Sequence, residues 1–166
     1  MAAGKTNKAT MSQTSTVKPV IVPENGGTVV NAFGDQINFK LTAAETGGAI
    51  SLGLDQVPPG GGPPLHYHQN EDEVFIVQEG RIDYFIGNRW IELGPGGAVF
   101  APRNVPHCFR NPGDKPARQW TVFLPSGFET FFTRCAAEFA KPGGPDMERI
   151  TAISAEHGIH YVQPGV

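Results

Sequence analysis

The chain has 166 residues, of which 39% are hydrophobic and 17% charged, and these values fit one globular domain. A net charge of −3 and a pI near 5.9 argue against a nucleic-acid or anionic-membrane partner, because both bind a basic face. No apolar run approaches the roughly 20 residues of a transmembrane helix, and the N-terminus lacks the apolar centre of a secretory signal. We therefore expect a cytoplasmic protein.

The first part of the chain predicts a β-barrel behind a leader. Residues 1–18 are polar and predict a disordered N-terminal segment. Residues 19–125 contain short apolar or alternating runs separated by Gly, Pro, Asn and Asp, a spacing typical of an all-β barrel or sandwich. The pair Gly87-Asn88 predicts a tight hairpin turn. The predicted strands are Val20–Val22, Thr28–Ala32, Asp35–Leu41, Ala49–Val57, Leu65–His68, Glu73–Gln78, Arg81–Ile86, Trp90–Leu93, Ala98–Pro102, His107–Arg110 and Gln119–Leu124.

The pattern becomes helical after Pro125, so residues 126–166 predict a C-terminal helical extension packed on the barrel. Ser126 and Glu129 have the spacing of a capping box. A helix over about residues 127–140 would then bury Phe128, Phe131, Phe132, Cys135 and Phe139. A second helix would start after the N-cap Asp146 and end at Gly158. Its inward-facing residues would be Met147, Ile150 and Ile153.

Cys108 and Cys135 are the only cysteines of the chain. Two thiols so far apart in sequence provide neither a disulfide framework nor a zinc-ribbon spacing. Nothing near either one indicates a lowered thiol pKa. We therefore interpret both as inert packing residues.

Three of the five histidines fall in an arrangement that suits metal binding. His66 and His68 are separated by one residue, and alternate residues of a strand face the same side, so both imidazoles can reach one ion. Glu73 follows five residues later, so the polar bend at residues 69–72 must reset the register to turn it inward. His107 comes on a later strand, after a proline-flanked turn.

Each of these pieces alone has a structural explanation. A His-x-His pair is more often two surface or core histidines, residues 71–73 are a solvated charge run, and His107 is a satisfied core residue. Together, three imidazoles and one carboxylate suit Fe, Mn, Co, Ni, Cu or Zn, and they disfavour Ca and Mg, which prefer oxygen ligands. The residues around them decide between the two interpretations.

Two glycine- and proline-containing motifs surround the four residues. Gly60, His66, His68, Glu73 and Gly80 match the first cupin motif, G(X)5HXH(X)3,4E(X)6G, without a mismatch. The second cupin motif, G(X)5PXG(X)2H(X)3N, is matched at Gly96, Pro102, His107 and Asn111. Asn104 stands where glycine is usual, and we expect the turn to survive because Asn tolerates positive φ. The fifteen residues between the motifs match the spacing of compact single-domain cupins.

The chain therefore resembles small bacterial cupins described as quercetin 2,3-dioxygenase-like, over about residues 25–165. This resemblance implies a jelly-roll β-barrel, here with two C-terminal helices, and one divalent transition metal. It implies as metal ligands His66, His68, Glu73 and His107. It also implies a catalytic part for Glu73, as fourth ligand or as a base that removes a substrate hydroxyl proton. Cupins of this size commonly pair, so a homodimer is expected.

The resemblance leaves the reaction open, because one cupin barrel hosts several activities. The first hypothesis is a dioxygenase that acts with O2 on an aromatic or enolisable small molecule. The second is a lyase or isomerase that uses the metal as a Lewis acid. The third is a small-molecule-binding module without enzymatic activity.

Overall fold

Two antiparallel sheets form the body of the computed structural model, which describes residues 17–162. The strands in chain order are β1 (Thr28–Ala32), β2 (Asp35–Leu41), β3 (Ser51–Val57), β4 (His66–His68), β5 (Asp72–Glu79), β6 (Ile82–Ile86), β7 (Arg89–Leu93), β8 (Ala98–Ala101), β9 (His107–Arg110), β10 (Ala117–Leu124) and β11 (Ile159–Tyr161). One sheet has the order β1-β2-β3-β10-β5-β8 and the other β11-β4-β9-β6-β7. This is the predicted all-β jelly roll.

Side chains alternate between the inside and the outside of the barrel along each strand. In β10, every second residue is buried, beginning with Ala117 and ending with Phe123. Two of these inward residues, Gln119 and Thr121, are polar. Buried polar atoms need hydrogen-bond partners. The presence of Gln119 and Thr121 on the inner face therefore indicates that other polar side chains lie inside the barrel.

The hairpin between β6 and β7 turns at Gly87-Asn88, as predicted. Both residues have positive φ, 59° and 62°, and Ile86 pairs with Arg89. A two-residue turn of this kind requires positive φ at both central positions, which Gly and Asn tolerate.

Within residues 17–162, three helices accompany the sheets: α1 (Ala43–Thr46), α2 (Glu129–Phe139) and α3 (Met147–Glu156). The apolar side of α2 packs against β1 and β2, where its residues share one buried cluster with Ile37 and Phe39. Asp146 caps α3 as predicted, by accepting hydrogen bonds from the amides of Glu148 and Arg149. Helix α2 therefore packs on the six-stranded sheet, whereas α3 packs on α2 and on β11 of the five-stranded sheet.

Three local predictions were wrong. Val20–Val22 forms no strand among the described residues, and Ile21 is 93% exposed. Ser126 and Glu129 form no capping box, because the Glu129 carboxylate accepts hydrogen bonds from Ser51 Oγ at 2.5 Å and from the Ala43 amide at 2.9 Å. Met147 is 60% exposed rather than inward.

Two short elements were not predicted as such. Helix α1 begins with a capping box between Thr42 and Glu45, in which each side chain meets the other's backbone amide. Residues 159–161 form β11, which pairs with β4 so that Tyr161 lies opposite His66. The extension therefore contributes a strand to the five-stranded sheet as well as two helices. The division of the chain at residue 125 stays a prediction.

None of the helices in residues 17–162 has the length and apolar character needed to cross a membrane. The predicted leader, residues 1–18, lies almost entirely outside the described residues. The predicted cytoplasmic location stays a prediction.

Candidate metal centre

Strand β4 presents two imidazoles to the barrel interior. His66 and His68 are both buried, whereas Tyr67 between them lies on the other face and stacks on His160 with ring centroids 4.8 Å apart. This is the i, i+2 alternation of a strand. The predicted placement of His66 and His68 on one face is therefore confirmed.

Glu73 turns inward because the chain changes sheet between β4 and β5. Residues 69–71 connect the five-stranded sheet to the six-stranded sheet, so the strand register is not continued. Asp72 fixes the start of β5 by accepting hydrogen bonds from the Arg103 backbone amide at 2.8 Å and its guanidinium at 2.9 and 3.1 Å. Glu73 follows it and is buried.

His107 lies beside His66 because β9 pairs with β4 at these two residues. The turn before β9 contains Asn104, whose φ is 63°, in the left-handed region that glycine usually occupies. The Asn104 amide donates to the His68 carbonyl at 2.7 Å. Asn therefore preserves the turn, as predicted, and this turn ties β9 to the strand that carries His68.

The four side chains bring their donor atoms to one point, where these atoms all lie within 4.8 Å of one another. The His66 and His68 Nε2 atoms are 3.0 Å apart, and Glu73 Oε2 lies 3.3 Å from His68 Nε2 and 2.6 Å from His107 Nε2. Neighbouring ligands of an octahedral ion, each about 2.1 Å from the metal, are about 3.0 Å apart. The cluster is therefore compatible with one metal ion.

The barrel that holds this cluster matches a known family. A family profile described as "Cupin domain" matches residues 53–123, which include all four residues. The structure is also similar to that of KdgF from a Halomonas species, with a TM-score of 0.60 and 15% identity, over 68% of this chain and 99% of that one. Residues 53–123 therefore match the cupin domain, and the barrel has the cupin-type jelly-roll fold.

Two curated relatives of this chain have functional names. Over 101 residues, the chain is 30% identical to quercetin 2,3-dioxygenase of Bacillus subtilis, covering 60% of this chain and 29% of that protein. Over 86 residues, it is 30% identical to "Polyketide synthase CurC" of Streptomyces cyaneus, covering 51% of this chain and 56% of that protein. The chain thus spans less than two thirds of either relative.

Backbone carbonyls orient two of the imidazoles in the cupin cluster. Nδ1–H of His66 donates to the Pro64 carbonyl at 2.8 Å, and Nδ1–H of His107 donates to the Val105 carbonyl at 2.9 Å. A carbonyl oxygen can only accept a hydrogen bond, so the proton is on Nδ1 of each ring. The Nε2 atom of each ring points toward the cluster. Hydrogen bonds of this kind fix the tautomer and ring orientation of metal-binding histidines.

Glu71 lies beside Nδ1 of His68, where the other two imidazoles have a backbone carbonyl. Its Oε2 lies 3.5 Å from Nδ1 of His68, and Glu71 is 8% exposed. Neither atom has a hydrogen bond within the described chain. A carboxylate on the far nitrogen of a ligating histidine increases the basicity of that ligand. Sequence reasoning missed Glu71, because the run of residues 71–73 has the composition of a solvated surface.

The electrostatics of the cluster favour neutral His66 and ionised Glu73. Burial, together with the charges of His68 and His107, lowers the pKa of His66 to about 3. Burial acts to raise the pKa of Glu73, but the imidazoles of His68 and His107 outweigh it and lower the pKa to about 2. Burial acts to lower the pKa of His107, but Glu73 outweighs it and raises the pKa. A neutral imidazole and a carboxylate are the forms that bind metals.

The cluster lies at the wall of a cavity with a volume of about 80 Å³. Most of the other walls are aromatic, including Phe75, Phe109, Phe123, Phe128 and Phe131. The Phe128 ring packs on His68 with a centroid distance of 4.7 Å. The cupin barrel therefore combines a polar cluster with apolar walls, the usual composition of a small-molecule site.

Proposed function

We propose that this cupin binds one divalent transition metal through His66, His68, Glu73 and His107 and acts as a dioxygenase on a small aromatic or enolisable molecule. One observation carries the proposal: a buried cluster of three imidazoles and one carboxylate faces a cavity lined by phenylalanine. The relatives named for quercetin and for polyketide synthesis support it, because such compounds carry phenolic or enolic hydroxyls.

A metal held by these four residues would supply a Lewis acid for a substrate hydroxyl and redox chemistry for O2. The candidates remain Fe, Mn, Ni, Co, Cu and Zn, since this donor set suits all six. The phenylalanine walls keep water away and hold a planar ring beside the cluster.

Glu73 has the position and the chemistry of a base for the substrate hydroxyl. Its carboxylate is ionised because His68 and His107 lower its pKa, and burial alone would raise that pKa. If Oε2 moves from the imidazoles toward a substrate hydroxyl, the lowering contribution is lost, and the carboxylate becomes a stronger base. Glu73 can then take the hydroxyl proton as the oxygen approaches the cluster.

The cavity favours a small substrate. Its volume of about 80 Å³ is roughly half of the 150 Å³ of an engineered cavity that binds benzene. One ring fits after a modest outward movement of the phenylalanine side chains, whereas a three-ring flavonol needs a much larger rearrangement. We therefore rank single-ring catechols and β-diketones above flavonols as substrates.

Oxygen uptake by the metal-loaded protein tests this function. The protein is supplied in turn with catechols, β-diketones and flavonols, while O2 and substrate are measured together. We expect equal molar loss of O2 and of a single-ring substrate. The Glu73→Gln variant, which keeps the shape of the side chain but removes its charge, should lower this rate by about a hundredfold or more. No uptake with any compound would refute the dioxygenase.

The same assay separates the two alternatives. Substrate loss in the absence of O2 would identify a lyase or isomerase that uses the same residues. Tight retention of the compound without any product would identify a binding module.

We also propose that the chain forms a homodimer through the outer face of the six-stranded sheet. Phe100 of β8 is 57% exposed and lies opposite Val74 of β5, next to Ile76, which is also exposed. Exposed apolar side chains grouped on a sheet indicate an interaction surface. Light scattering should give twice the chain mass, and Phe100→Glu should give the mass of one chain.

A further inference from the structure

A second polar group lines the same cavity, on strands other than those of the four candidate ligands. It consists of Asp35 of β2 and Asp55 of β3. Asp55 lies four residues along β3 from Ser51, which shares a register row with Phe123 and Glu73. The acid pair and the metal cluster therefore occupy different levels of one cavity.

Neighbouring side chains hold the Asp55 carboxylate by one oxygen only. Its Oδ2 accepts hydrogen bonds from Gln119 Nε2 at 3.0 Å and from Thr121 Oγ1 at 2.5 Å. Gln119 is held in turn, because its Oε1 accepts from the Tyr84 hydroxyl at 2.5 Å. This chain explains the two polar residues on the inner face of β10. It also fixes the direction of the other oxygen, Oδ1.

Asp55 is only 8% exposed, and its Oδ1 atom is buried. This oxygen has no hydrogen-bond partner in the described part of the chain. Buried acceptors without a partner are costly, at about 1–3 kcal/mol each. Burial, as the leading cause, raises the pKa of Asp55 to about 6. An oriented oxygen that the protein itself does not satisfy, and that lines a cavity, is suited to accept a hydrogen bond from a ligand.

Asp35 presents a second carboxylate oxygen without a hydrogen-bond partner among the described residues. This oxygen, Oδ1, is also buried. Burial and the charge of Asp55 raise the pKa of Asp35 to about 7. Gly61 makes room for the carboxylate, since a Cβ atom at position 61 would lie 2.8 Å from Asp35 Oδ1. The loop before β4 therefore accommodates this acid.

We infer that Asp55, assisted by Asp35, recognises a second hydroxyl group of the ligand, so that the substrate is a single-ring aromatic polyol. One or two of its oxygens meet the metal cluster, and a further hydroxyl on the opposite side of the ring donates to Asp55 Oδ1. The inference rests on the proposed function and makes it more specific. It separates polyols from simple β-diketones and alkylated catechols, which have no hydroxyl to donate at that end.

A matched pair of ligands tests this site without turnover. Zinc-loaded protein is titrated without O2 by calorimetry with benzene-1,2,4-triol and with 4-methylcatechol, which replaces the distal hydroxyl by a methyl group of similar size. We expect the wild type to bind the triol about tenfold more tightly, because a hydrogen bond to a charged acceptor is worth about that factor. Asp55→Asn replaces the accepting Oδ1 by a donor and should reduce the ratio to near one, with little change for 4-methylcatechol.

Two further variants make the result decisive. Asp83→Asn changes a carboxylate on the opposite sheet that pairs with Arg110, and it should keep the wild-type ratio. Asp35→Asn should reduce the ratio partially, and it replaces Asp55→Asn as the test if that variant does not fold. Equal binding of both ligands by the wild type, binding of neither, or an unchanged ratio in the Asp variants would overturn the inference.

The outcomes for this site and for the proposed function are distinguishable. Tighter binding of the triol without any O2 uptake would support the hydroxyl site and refute the dioxygenase. O2 uptake with equal binding of the two ligands would support the dioxygenase and refute the hydroxyl site.

Discussion

The Nε2 atoms of His66 and His68 lie 3.0 Å apart in the barrel interior. The Nδ1 proton of His66 is held by the Pro64 carbonyl, so Nε2 of His66 carries a lone pair directed at its neighbour. Either a proton on His68 Nε2 or a cation bound by both nitrogens would satisfy this lone pair. The Glu71 carboxylate, 3.5 Å from His68 Nδ1, favours a proton on Nδ1 instead, which leaves Nε2 of His68 able to bind a metal.

Glu71→Gln should weaken metal binding although Glu71 is not one of the four candidate ligands. The change removes the negative charge 3.5 Å from His68 Nδ1. Outer carboxylates of this kind typically contribute 10–100-fold to metal affinity, and we expect a loss in that range. The measurement is competition with a coloured chelator.

The control is the variant Glu138→Gln. Glu138 is an equally buried glutamate on α2, pairs with Lys141 and is far from the cluster in sequence. It should leave metal affinity unchanged. An affinity in Glu71→Gln equal to that of this control would show that Glu71 does not support His68.

Asn104 should tolerate glycine but not alanine. At a φ of 63°, a residue with a Cβ other than Asn or Asp is strained by about 1–2 kcal/mol. Asn104→Ala should therefore lower the free energy of unfolding by about 1 kcal/mol, and Asn104→Gly should change it little. Urea denaturation of both variants checks this. Equal stability of the two variants would contradict the role given to the turn.

Asp55→Asn should stabilise the protein at neutral pH and not in acid. In the folded chain the pKa of Asp55 is about 6, against an ordinary value of 3.8. Between these values the folded state binds more protons than the unfolded state, so stability falls as the pH rises from about 4 to about 6. Above that range, the ionised carboxylate destabilises the fold.

The asparagine variant removes this penalty. Its free energy of unfolding relative to the wild type should therefore increase by about 1–3 kcal/mol between pH 4 and pH 8. For Glu156→Gln the trend should be opposite, because Arg134 lowers the pKa of that exposed acid. A difference between Asp55→Asn and wild type that does not depend on pH would contradict the burial of an ionisable Asp55.

The sequence was sufficient for features determined by local spacing. The i, i+2 histidines, the Gly87-Asn88 turn and the N-cap Asp146 each depend on neighbouring residues, and the structure has all three. The motifs likewise place Glu73 and His107 close to the histidine pair, since the barrel that they imply fixes which strands meet.

Features that depend on distant contacts could not be predicted. Glu129 is drawn away from Ser126 by Ser51 and Ala43, which are about eighty residues earlier in the chain. Glu71 looks like a surface acid until the change of sheet buries it beside His68. Asp55 was not recognised because its partners, Gln119 and Thr121, come from a strand more than sixty residues later. In each case the decisive partner is remote in sequence.

Both thiols should be unreactive in the folded protein. Cys135 is fully buried, and burial raises its pKa to about 11, while burial also raises the pKa of Cys108. Because the thiolate is the reactive form, a disulfide reagent at pH 8 should label neither residue in the native chain and both in denaturant. Rapid native labelling of either cysteine would contradict the inert packing assigned to it.

The metal content of the purified chain tests the central claim most directly. Elemental analysis, after chelation and reloading, should find about one divalent transition metal per wild-type chain and none in the double variant His66→Ala/His107→Ala. The variant His157→Ala/His160→Ala removes two histidines outside the cluster and should keep the wild-type content. A wild-type chain without metal, or equal content in the two double variants, would contradict the account.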